Sequence, residues 1–393
     1  MKTKTQVGII GAGPSGLLLS HLLHLEGIDS VVLEARSRKY VEERVRAGVL
    51  EQGTVDLLRD TGLGERLRRE GLVHHGIELR FDGRGHRIAL SDLTGGRAIW
   101  IYGQQEVVKD LINARLEAGA TIHFEVDDVR LSEIDSTRPM IKYRKDNRED
   151  ELHCDFIAGC DGYHGVSRDA IPAGALRTYH HEYPFGWLGI LAAVAPSTKE
   201  LIYASHERGF ALHSLRTPEI SRLYIQVQPD EDINEWPDER IWEELRLRLA
   251  TKDGWTLTDG PVLEKGVTAM RSFVVEPMQY GRLFLAGDAA HIVPATGAKG
   301  LNLAVHDVHK LADGLIAWYR KNTNELLEQY STRCLGRVWR VQDFSSFMSL
   351  MLHRYPDDDG FRSRLQHAQL EYVCSSEAAA RSLAENYVGL PHR

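Results

Sequence analysis

The sequence predicts a mixed α/β (α+β) fold with a parallel-sheet domain, an antiparallel-sheet domain and a helical C-terminal region. Residues 6–10 form an apolar run that meets a glycine-rich turn, and Pro14 then opens a leucine-rich segment, which predicts strand, turn and helix. Between residues 185 and 227, short aromatic and β-branched runs are separated by Gly, Pro and charged turns, as in antiparallel strands. From Leu301 onward, apolar residues recur at helical spacing.

The first predicted unit carries a dinucleotide-binding loop. Gly11, Gly13 and Gly16, with Ser15 among them, have the spacing that turns the backbone tightly and lets a pyrophosphate approach. The N-terminus of the following helix offers free N–H groups to the phosphates. Glu34 lies 18 residues after Gly16 (34 minus 16), at a strand end, where its carboxylate can accept hydrogen bonds from ribose hydroxyls. This Rossmann-like unit predicts an ADP-containing cofactor and leaves NAD and FAD both open.

Two later segments favour FAD. Residues 157–162 form an apolar run that ends in a turn with Asp161, and Arg168 follows. Residues 283–291 carry an apolar strand to Asp288, whose carboxylate can hold a polyol hydroxyl. Small residues then lead into a helix that starts near Leu301, whose N-terminus can face an electron-rich ring.

Composition narrows the class of protein. The 393 residues are 42% hydrophobic and 26% charged, which is typical of a globular enzyme. The net charge of -8 argues against nucleic-acid binding, and the apolar stretch from Leu17 to Leu25 is interrupted by polar residues, so we expect no membrane span. The four cysteines form no CxxC pair and no zinc-like spacing with His, so we predict no metal and a cytoplasmic protein.

In these motifs the chain resembles the class A flavoprotein aromatic hydroxylases. GAGPSG, CDG with Arg168, and GDAAHIVPATGAKGLN follow in the family's order and separation, and segments such as RAGVLEQGTVDLLR and ENYVGLP extend the likeness over nearly the whole chain. The likeness is strongest to the members that hydroxylate 4-hydroxybenzoate. One departure from the class is Gly165, which stands where a serine is usual.

The resemblance implies an FAD-dependent monooxygenase. The implied reaction hydroxylates 4-hydroxybenzoate at C3 to 3,4-dihydroxybenzoate with NADPH (or NADH) and O2, through a flavin C4a-hydroperoxide. The resemblance also implies a homodimer that acts on a small aromatic acid. Three alternatives remain open: a hydroxylase of another hydroxybenzoate, a non-catalytic FAD-fold binding protein, and a nicotinamide dehydrogenase without flavin.

The resemblance also implies roles for the residues around the substrate. Tyr203 would hydrogen-bond the phenol, and Tyr387 and His74 would carry its proton to solvent. Residues that would contact the substrate besides Tyr203 are Ser214, Arg216, Tyr224 and Ala295. Ala295 stands in place of a proline whose carbonyl meets the phenol oxygen, and an alanine there leaves φ freer.

For the cofactors, the resemblance implies a larger set. Flavin contacts beyond the glycine loop are Arg44, Arg46, Gln104, Asp161, Asp288, Lys299, Gly300, Leu301 and Asn302. Arg222 would steady the flavin between an inner and an outer position. The nicotinamide donor would meet Arg44, His164 and Arg271, and the segment with Arg36, Arg38 and Tyr40 adds cations suited to a 2'-phosphate, which favours NADPH.

We expect three regions along the chain. An FAD-binding domain would cover residues 1–175 and a substrate-binding antiparallel domain 176–290, with the chain returning to the first domain at about 268–302. Residues 291–393 would form the flavin-contacting loop and a helical, interface-forming region.

Overall fold

The structure is a computed structural model that describes residues 2–46 and 48–390. Its strands are β1 (Lys2–Lys4), β2 (Val7–Ile10), β3 (Ser30–Leu33), β4 (Val49–Leu50), β5 (Leu72–His74), β6 (Ile77–Phe81), β7 (Arg84–Ile88), β8 (Ile99–Ile101), β9 (Thr121–His123), β10 (Asp127–Ser132), β11 (Met140–Lys145), β12 (Arg148–His153), β13 (Phe156–Gly159), β14 (Arg177–Ala192), β15 (Leu201–Ala204), β16 (Ala211–Thr217), β17 (Ile220–Val227), β18 (Val262–Glu276), β19 (Gln279–Tyr280), β20 (Leu283–Leu285) and β21 (His291–Ile292). Its helices are α1 (Pro14–Leu25), α2 (Arg38–Glu43), α3 (Gln52–Asp60), α4 (Gly64–Glu70), α5 (Leu90–Leu93), α6 (Gln104–Glu117), α7 (Asp238–Leu249), α8 (Gly300–Lys321), α9 (Glu325–Glu328), α10 (Tyr330–Leu352), α11 (Phe361–Ser375) and α12 (Glu377–Val388).

A six-stranded sheet in the order β19-β20-β13-β2-β3-β9 forms the nucleotide-binding layer. All neighbours in it are parallel except β19 and β20. Every residue of β2 and β13 is buried, as expected for strands covered on both faces. Helix α1 packs between this sheet and helices α6 and α8. The predicted strand, glycine turn and helix are therefore confirmed.

An eight-stranded sheet in the order β21-β18-β14-β17-β16-β15-β6-β7 forms the second layer. It is antiparallel except where β15 runs parallel to β6. One face packs on α7 through Trp242, Leu245 and Leu249, and the opposite face packs on side chains of the C-terminal helices. Strands β6 and β7 come from the first of the three predicted regions, so that region contributes to both sheets. The predicted boundaries themselves stay a prediction.

Two smaller sheets and the C-terminal helices complete the molecule. The smaller sheets have the orders β4-β8-β5 and β1-β12-β11-β10. Helix α12 returns to α5, which brings its buried Tyr387 to the antiparallel sheet. The predicted mixed α/β fold with a helical C-terminal region is confirmed. Within the described ranges, no helix combines the length and the apolar character needed to cross a membrane.

Candidate active site

The glycine loop after β2 has the shape that a pyrophosphate site requires. Gly11 adopts a φ of +102°, and a Cβ there would lie 2.4 Å from the carbonyl oxygen of Cys160. A Cβ on Gly16 would lie 2.0 Å from the carbonyl oxygen of Gly11, because helix and strand touch there. A Cβ on Gly13 would meet no protein atom within 4 Å. Packing therefore explains Gly11 and Gly16, whereas Gly13 leaves room for close approach of a phosphate.

Glu34, at the end of β3, holds this loop in place. Its Oε2 accepts a hydrogen bond of 2.7 Å from the backbone N–H of Ala12, and its Oε1 accepts one of 2.7 Å from that of Arg36. A carboxylate has about four lone-pair positions, so two hydrogen bonds leave capacity for ribose hydroxyls. The predicted cofactor contact thus has a second, structural task.

Asp161 explains the departure at Gly165. The Oδ2 of Asp161 accepts hydrogen bonds of 2.9 Å from both the N–H and the hydroxyl of Ser167, while Oδ1 has no partner in the part of the chain that the structure describes. A Cβ on residue 165 would lie 2.1 Å from the Cγ of Asp161. A serine would collide with this carboxylate, so glycine is required by the folded turn. Burial raises the pKa of Asp161.

A buried pair fixes the turn that carries Asp288. Nε2 of His291 donates to Oδ2 of Asp307 at 2.6 Å, and the N–H of Gly287 donates to the same oxygen at 3.0 Å. Although burial disfavours the imidazolium, Asp307 raises the pKa of His291. His306 and Cys334 bring further donor atoms within 4.8 Å of a carboxylate oxygen of Asp307, whose Oδ2 accepts these two hydrogen bonds and whose Oδ1 has no hydrogen-bond partner within the described ranges. The absence of a metal remains a prediction.

Asp288 itself is exposed to solvent on this turn. The surrounding protein restricts hydration of its carboxylate and raises its pKa, an effect that positive charge on His291, Arg46, Arg44 and Arg271 opposes. Predicted flavin and nicotinamide contacts from distant parts of the chain therefore act on one carboxylate. Cations beside a solvent-facing carboxylate suit a polar ligand that carries both hydroxyls and phosphates.

The turn is also tied to the segment around Asp161. Nη1 of Arg168 donates to the carbonyl of Ala289 at 3.2 Å, and its Nη2 donates to that of Tyr163 at 2.6 Å. The guanidinium also lies 5.0 Å from the ring centre of Tyr163 and 4.8 Å from that of Phe273. The motif arginine is thus a link between two turns.

The loop before α8, residues 295–300, leaves parts of its backbone open to a ligand. Ala298 adopts a φ of +54°, and its N–H donates to the carbonyl of Ala295 at 2.9 Å. Ala295 is exposed, and its carbonyl keeps one further lone pair for a substrate. A Cβ on Gly300 would meet no protein atom within 4 Å, at the point where the helix N-terminus begins. Leu301 follows in the first helical turn.

The buried side chains of Asn302 and Lys299 anchor that loop to the protein interior. The side-chain oxygen of Asn302 accepts from the N–H of Glu51 at 2.8 Å and from the Thr54 hydroxyl at 2.9 Å, and its amide donates to the carbonyl of Val49 at 3.0 Å. Nζ of Lys299 donates to Oε1 of Glu51 at 2.8 Å and to the carbonyl of Tyr387 at 2.7 Å. Both side chains are buried and used inside the protein, so contacts of these two residues with a flavin fall to their backbone.

The register of the large sheet places the predicted substrate residues on one face. Tyr203 lies opposite Leu212, Leu212 opposite Tyr224, and Tyr224 opposite Gly189. Residues that lie opposite each other on adjacent strands point to the same face. A Cβ on Gly189 would lie 3.2 Å from Cε1 of Tyr224, so this glycine makes room on the face.

Ser214 and Arg222 lie opposite each other on the same face, two residues along their strands. Nε and Nη1 of Arg222 and Nε of Arg216 are buried without a hydrogen-bond partner within the described ranges. Although burial disfavours its phenolate, the charges of Arg216 and Arg222 lower the pKa of Tyr224. Two guanidinium groups with unused donors fit an anionic ligand.

Tyr203 and Tyr387 meet at the same face. Their hydroxyl oxygens lie 2.5 Å apart, and either hydroxyl can donate. Both side chains are 1% exposed. Burial raises the pKa of Tyr203 and that of Tyr387 well above the usual range, so both are neutral near pH 7. The two tyrosines are thus in direct contact, and their roles toward a substrate stay a prediction.

His74 ends β5 and is buried, unlike the exposed loop histidine that its neighbour His75 would suggest. Neither ring nitrogen has a hydrogen-bond partner in the part of the chain that the structure describes. Burial lowers the pKa of His74 to about 4. Leu72 of the same strand packs on the cluster that contains Tyr203 and Tyr387, but no hydrogen bond joins His74 to either tyrosine.

The predicted nicotinamide contacts form two groups. Arg36 and Arg44 both lie near Tyr40, with their guanidinium carbons 5.3 Å and 5.7 Å from its ring centre. Arg38 is paired with Glu42, at 2.7 Å between Nε and Oε1.

In the second group, Arg271 lies 4.3 Å over the ring of Tyr163, and the exposed His164 packs edge-on against the same ring. The electrostatic effect of Arg44 and Arg271 on Asp288 connects the two groups.

FAD fits these residues. Gly13 and Gly300 leave space for a ligand beside backbone N–H groups, Gln104 opens α6, and the unused Oδ1 of Asp161 and donors of Arg222 are polar atoms that a large polar ligand can satisfy. Sequence reasoning missed Glu51, Asp307 and Gly189. Glu51 is 248 positions from Lys299, so no local pattern could reveal their pairing.

Three comparisons with known proteins identify relatives of this chain. Residues 4–345 match the family model described as FAD binding domain. The p-hydroxybenzoate hydroxylase of Acinetobacter baylyi is 48% identical over 389 residues, which are 99% of this chain and 96% of that protein. A 3-(3-hydroxy-phenyl)propionate/3-hydroxycinnamic acid hydroxylase of a Mycobacterium species is 25% identical, and the match covers 89% of this chain and 61% of that protein. The structure of p-nitrophenol 4-monooxygenase from Pseudomonas putida superposes with a TM-score of 0.85 at 20% identity over the full length of both chains.

Proposed function

Because this chain belongs to the FAD-binding-domain family of flavoprotein aromatic hydroxylases, we propose that it hydroxylates 4-hydroxybenzoate at C3 to 3,4-dihydroxybenzoate. The chain is an FAD-dependent aromatic monooxygenase. The observation that carries the choice of substrate is the shared sheet face on which Tyr203 lies with Ser214 and Tyr224, beside arginines with unused donors. One end of this face offers a neutral hydroxyl and the other offers cations. A ring with a phenol and a carboxylate has the matching polarity.

The carboxylate of the substrate would bind Arg216. Its planar guanidinium has an unused Nε and can match two carboxylate oxygens, with the hydroxyls of Ser214 and Tyr224 as further donors. The lowered pKa of Tyr224 makes its hydroxyl a strong hydrogen-bond donor to an anion. A bound carboxylate would also offset the burial of two cations, which is costly when they are unpaired.

The phenol of the substrate would donate to the hydroxyl of Tyr203. An ordinary phenol with a pKa of about 10 is only about 1% ionised at pH 8, and lowering this pKa by about two units corresponds to roughly 2.7 kcal/mol. Tyr203 and Tyr387 stay neutral, so a proton would pass through their hydrogen-bonded hydroxyls by exchange, without a tyrosinate. Before ionisation, the carbonyl of Ala295 would be an alternative acceptor for the single phenol proton. His74 would receive the proton beyond Tyr387.

Bound FAD supplies the redox and oxygen-transfer chemistry. The residues of this chain would hold its pyrophosphate at Gly11 to Gly16, its ribose at Glu34 and its polyol near Asp288. The guanidinium of Arg222 lies 5.2 Å from the ring centre of Tyr224, on the sheet face proposed for the substrate. From there it would steady the flavin ring system. Arg44, Arg46, Gln104 and Asp161 would complete the contacts.

We propose NADPH as the electron donor, with NADH as the alternative. Arg36 and Arg44 near Tyr40 favour a 2'-phosphate, whereas Arg38 is already paired with Glu42. His164 and Arg271 at Tyr163 would meet the rest of the dinucleotide.

We further propose a homodimer in the cytoplasm. The helix α11 exposes Phe361, Leu365 and Tyr372, of which Phe361 is 70% exposed, and this supports an apolar contact between copies. All four cysteines are free thiols, which fits a reducing compartment. Light scattering of the purified protein tests the dimer.

Product analysis tests the proposed function. The purified enzyme with FAD, NADPH and O2 should convert 4-hydroxybenzoate to 3,4-dihydroxybenzoate, as identified by chromatography and mass spectrometry. 3-Hydroxybenzoate and 2-hydroxybenzoate place the phenol elsewhere on the ring and should give little product. Faster product formation from either isomer would replace the proposed substrate, and replacing NADPH by NADH tests the donor.

A further inference from the structure

His74 is buried in a place where it has no direct route to water. It is 0% exposed, and within the described ranges both ring nitrogens lack a hydrogen-bond partner. An imidazole can take a proton on one nitrogen and release another from the second nitrogen, provided that an acceptor follows. A proton path that ended at His74 would therefore leave the proton inside the protein.

The carboxylate of Glu200 lies against the backbone that follows His74. Glu200 directly precedes β15, where Leu201 lies opposite Ile77, so it is adjacent to Gly76 between β5 and β6. A Cβ on Gly76 would lie 2.8 Å from Oε2 of Glu200, which shows that the carboxylate covers the backbone two residues after His74.

Arg87 holds this carboxylate with two hydrogen bonds. Its Nε donates to Oε2 of Glu200 at 2.6 Å and its Nη2 donates to Oε1 at 2.8 Å. The Glu200 side chain is 20% exposed and that of Arg87 is 49% exposed, so the pair connects the interior with solvent. A fixed carboxylate with one side in water suits a proton acceptor.

A small set of charged groups acts on the pKa values of His74 and Glu200. Glu200 is the group that favours the charged form of His74, and His75 opposes it. Arg87 and His74 favour the carboxylate form of Glu200 against the effect of burial, and Asp92 acts on Arg87 in turn. Glu200 is thus an anion near pH 7 that can accept a proton briefly and release it to water.

We propose that Glu200, clamped by Arg87, takes the proton from His74 and passes it to solvent, as the outer end of the path that begins at Tyr203. The inference rests on the proposed function. Because neither ring nitrogen of His74 has a hydrogen-bond partner within the described ranges, the proton would cross from His74 to Glu200 through a bridging water. An N–H bond of His74 breaks as the water takes its proton, an O–H bond of the water breaks as one forms on Glu200, and His74 accepts the next proton on its other nitrogen. The O–H bond of Glu200 then breaks to give hydronium or protonated buffer, so the step needs no oxidant or co-reactant.

The test follows release of the phenol proton. The FAD-loaded enzyme is mixed rapidly with 4-hydroxybenzoate in weakly buffered solution with a pH indicator, and phenolate absorbance is recorded in parallel. Glu200→Gln should slow proton release about tenfold or more, because a relay group is lost. The dissociation constant of 4-hydroxybenzoate should stay within about twofold, since Glu200 does not touch the substrate. Added formate should restore the rate by acting as a mobile carboxylate.

Matched variants separate a relay from a structural role. Glu151→Gln removes a carboxylate that is also ion-paired and is 28% exposed, in a different sheet, and should leave proton release unchanged. Arg87→Lys keeps the positive charge but loses the two hydrogen bonds that hold Glu200, and it should slow proton release several-fold. This variant provides the test if Glu200→Gln does not fold.

The outcomes are distinct. Unchanged proton release in Glu200→Gln, or in Arg87→Lys if the first variant does not fold, overturns the inference. Slow release without formate rescue, together with weaker substrate binding, assigns Glu200 a structural role and also overturns it. If the unaltered enzyme neither binds nor ionises 4-hydroxybenzoate, the proposed function itself fails.

Discussion

At the scale of single residues, the proposed reaction uses buried neutral tyrosines and half-buried cationic arginines. Tyr203 and Tyr387 are buried and share a hydrogen bond, and burial raises the pKa of both further above its ordinary value, so both are phenols near pH 7. Such a pair can transmit a proton but cannot store a negative charge. Its contribution should therefore appear in the rate of substrate ionisation and much less in binding.

Tyr203→Phe tests this role. Removing the hydroxyl should leave the dissociation constant of 4-hydroxybenzoate within a few-fold and lower the rate of hydroxylation about 100-fold, in the usual range for a lost acid–base group. Single-turnover product formation measures the rate. Tyr355→Phe is the matched control, because its hydroxyl is buried without a partner in the described structure and lies in the same core cluster. Equal rates in the Tyr203 variant and the unaltered enzyme would remove Tyr203 from the mechanism.

Arg216→Met tests the carboxylate contact. The variant should bind 4-hydroxybenzoate roughly 100-fold more weakly, because a buried charge pair contributes about 2–5 kcal/mol when one partner is removed. The ligand 4-hydroxybenzamide, which lacks the negative charge, serves as the control. Its affinity should change little, and calorimetry measures all four dissociation constants. An equal loss for both ligands would show that Arg216 shapes the pocket without pairing with the carboxylate.

At the scale of elements, some structure follows from neighbouring residues and some from contacts between distant parts of the chain. The strand, glycine turn and helix from β2 to α1 are predictable from the sequence because Gly11 and Gly16 act on neighbouring residues. The joining of β6 and β7 to the large sheet is not predictable in this way, because β6 pairs with a strand more than a hundred residues later. Gly165 is a similar case, since its reason is contact with the folded Asp161 side chain.

Two substitutions in the glycine loop separate packing from cofactor binding. Gly13→Ala adds a Cβ that meets no protein atom, so the melting temperature of the cofactor-free protein should stay the same while FAD binds at least about tenfold more weakly, or about 1.4 kcal/mol. Gly16→Ala forces a contact with the Gly11 carbonyl and should destabilise the cofactor-free protein by about 3 kcal/mol. Fluorescence titration with FAD and thermal unfolding measure the two effects. Unaltered FAD affinity in Gly13→Ala would place the pyrophosphate elsewhere.

At the scale of the whole molecule, Glu51 joins three distant parts of the chain. It pairs with Lys299 of the flavin loop, and Lys299 binds the carbonyl of Tyr387 in α12. This junction ties α12, which carries Tyr387, to the loop before α8. The residues proposed for the site come from the resemblance to a family, whereas Glu51 is defined only by long-range contacts.

Glu51→Gln tests the junction through stability. Although burial opposes ionisation, Lys299 and Arg337 lower the pKa of Glu51 in the folded protein below its ordinary value of 4.5. Its ion pairs therefore stabilise the fold above that value, and the contribution is lost as pH falls through the lower folded pKa. At pH 7 the variant should lose about 3–5 kcal/mol of unfolding free energy, because it leaves buried cations uncompensated.

Urea unfolding at pH 7 and in the acid range measures this loss. Stability of the variant should fall less steeply than that of the unaltered protein between the ordinary glutamate pKa and lower pH. Glu377→Gln removes an exposed helical pair with Arg381 and should change stability by no more than about 0.5 kcal/mol. Similar small effects for both variants would mean that the buried junction does not stabilise the fold.

In the proposed function, FAD and 4-hydroxybenzoate act together in one site of this enzyme. The most direct measurement is the rate at which NADPH bleaches the flavin absorbance of the purified protein under anaerobic conditions, with and without 4-hydroxybenzoate. We expect a yellow protein whose bleaching is much faster once 4-hydroxybenzoate is added. A colourless protein, or a bleaching rate indifferent to that acid, would contradict it.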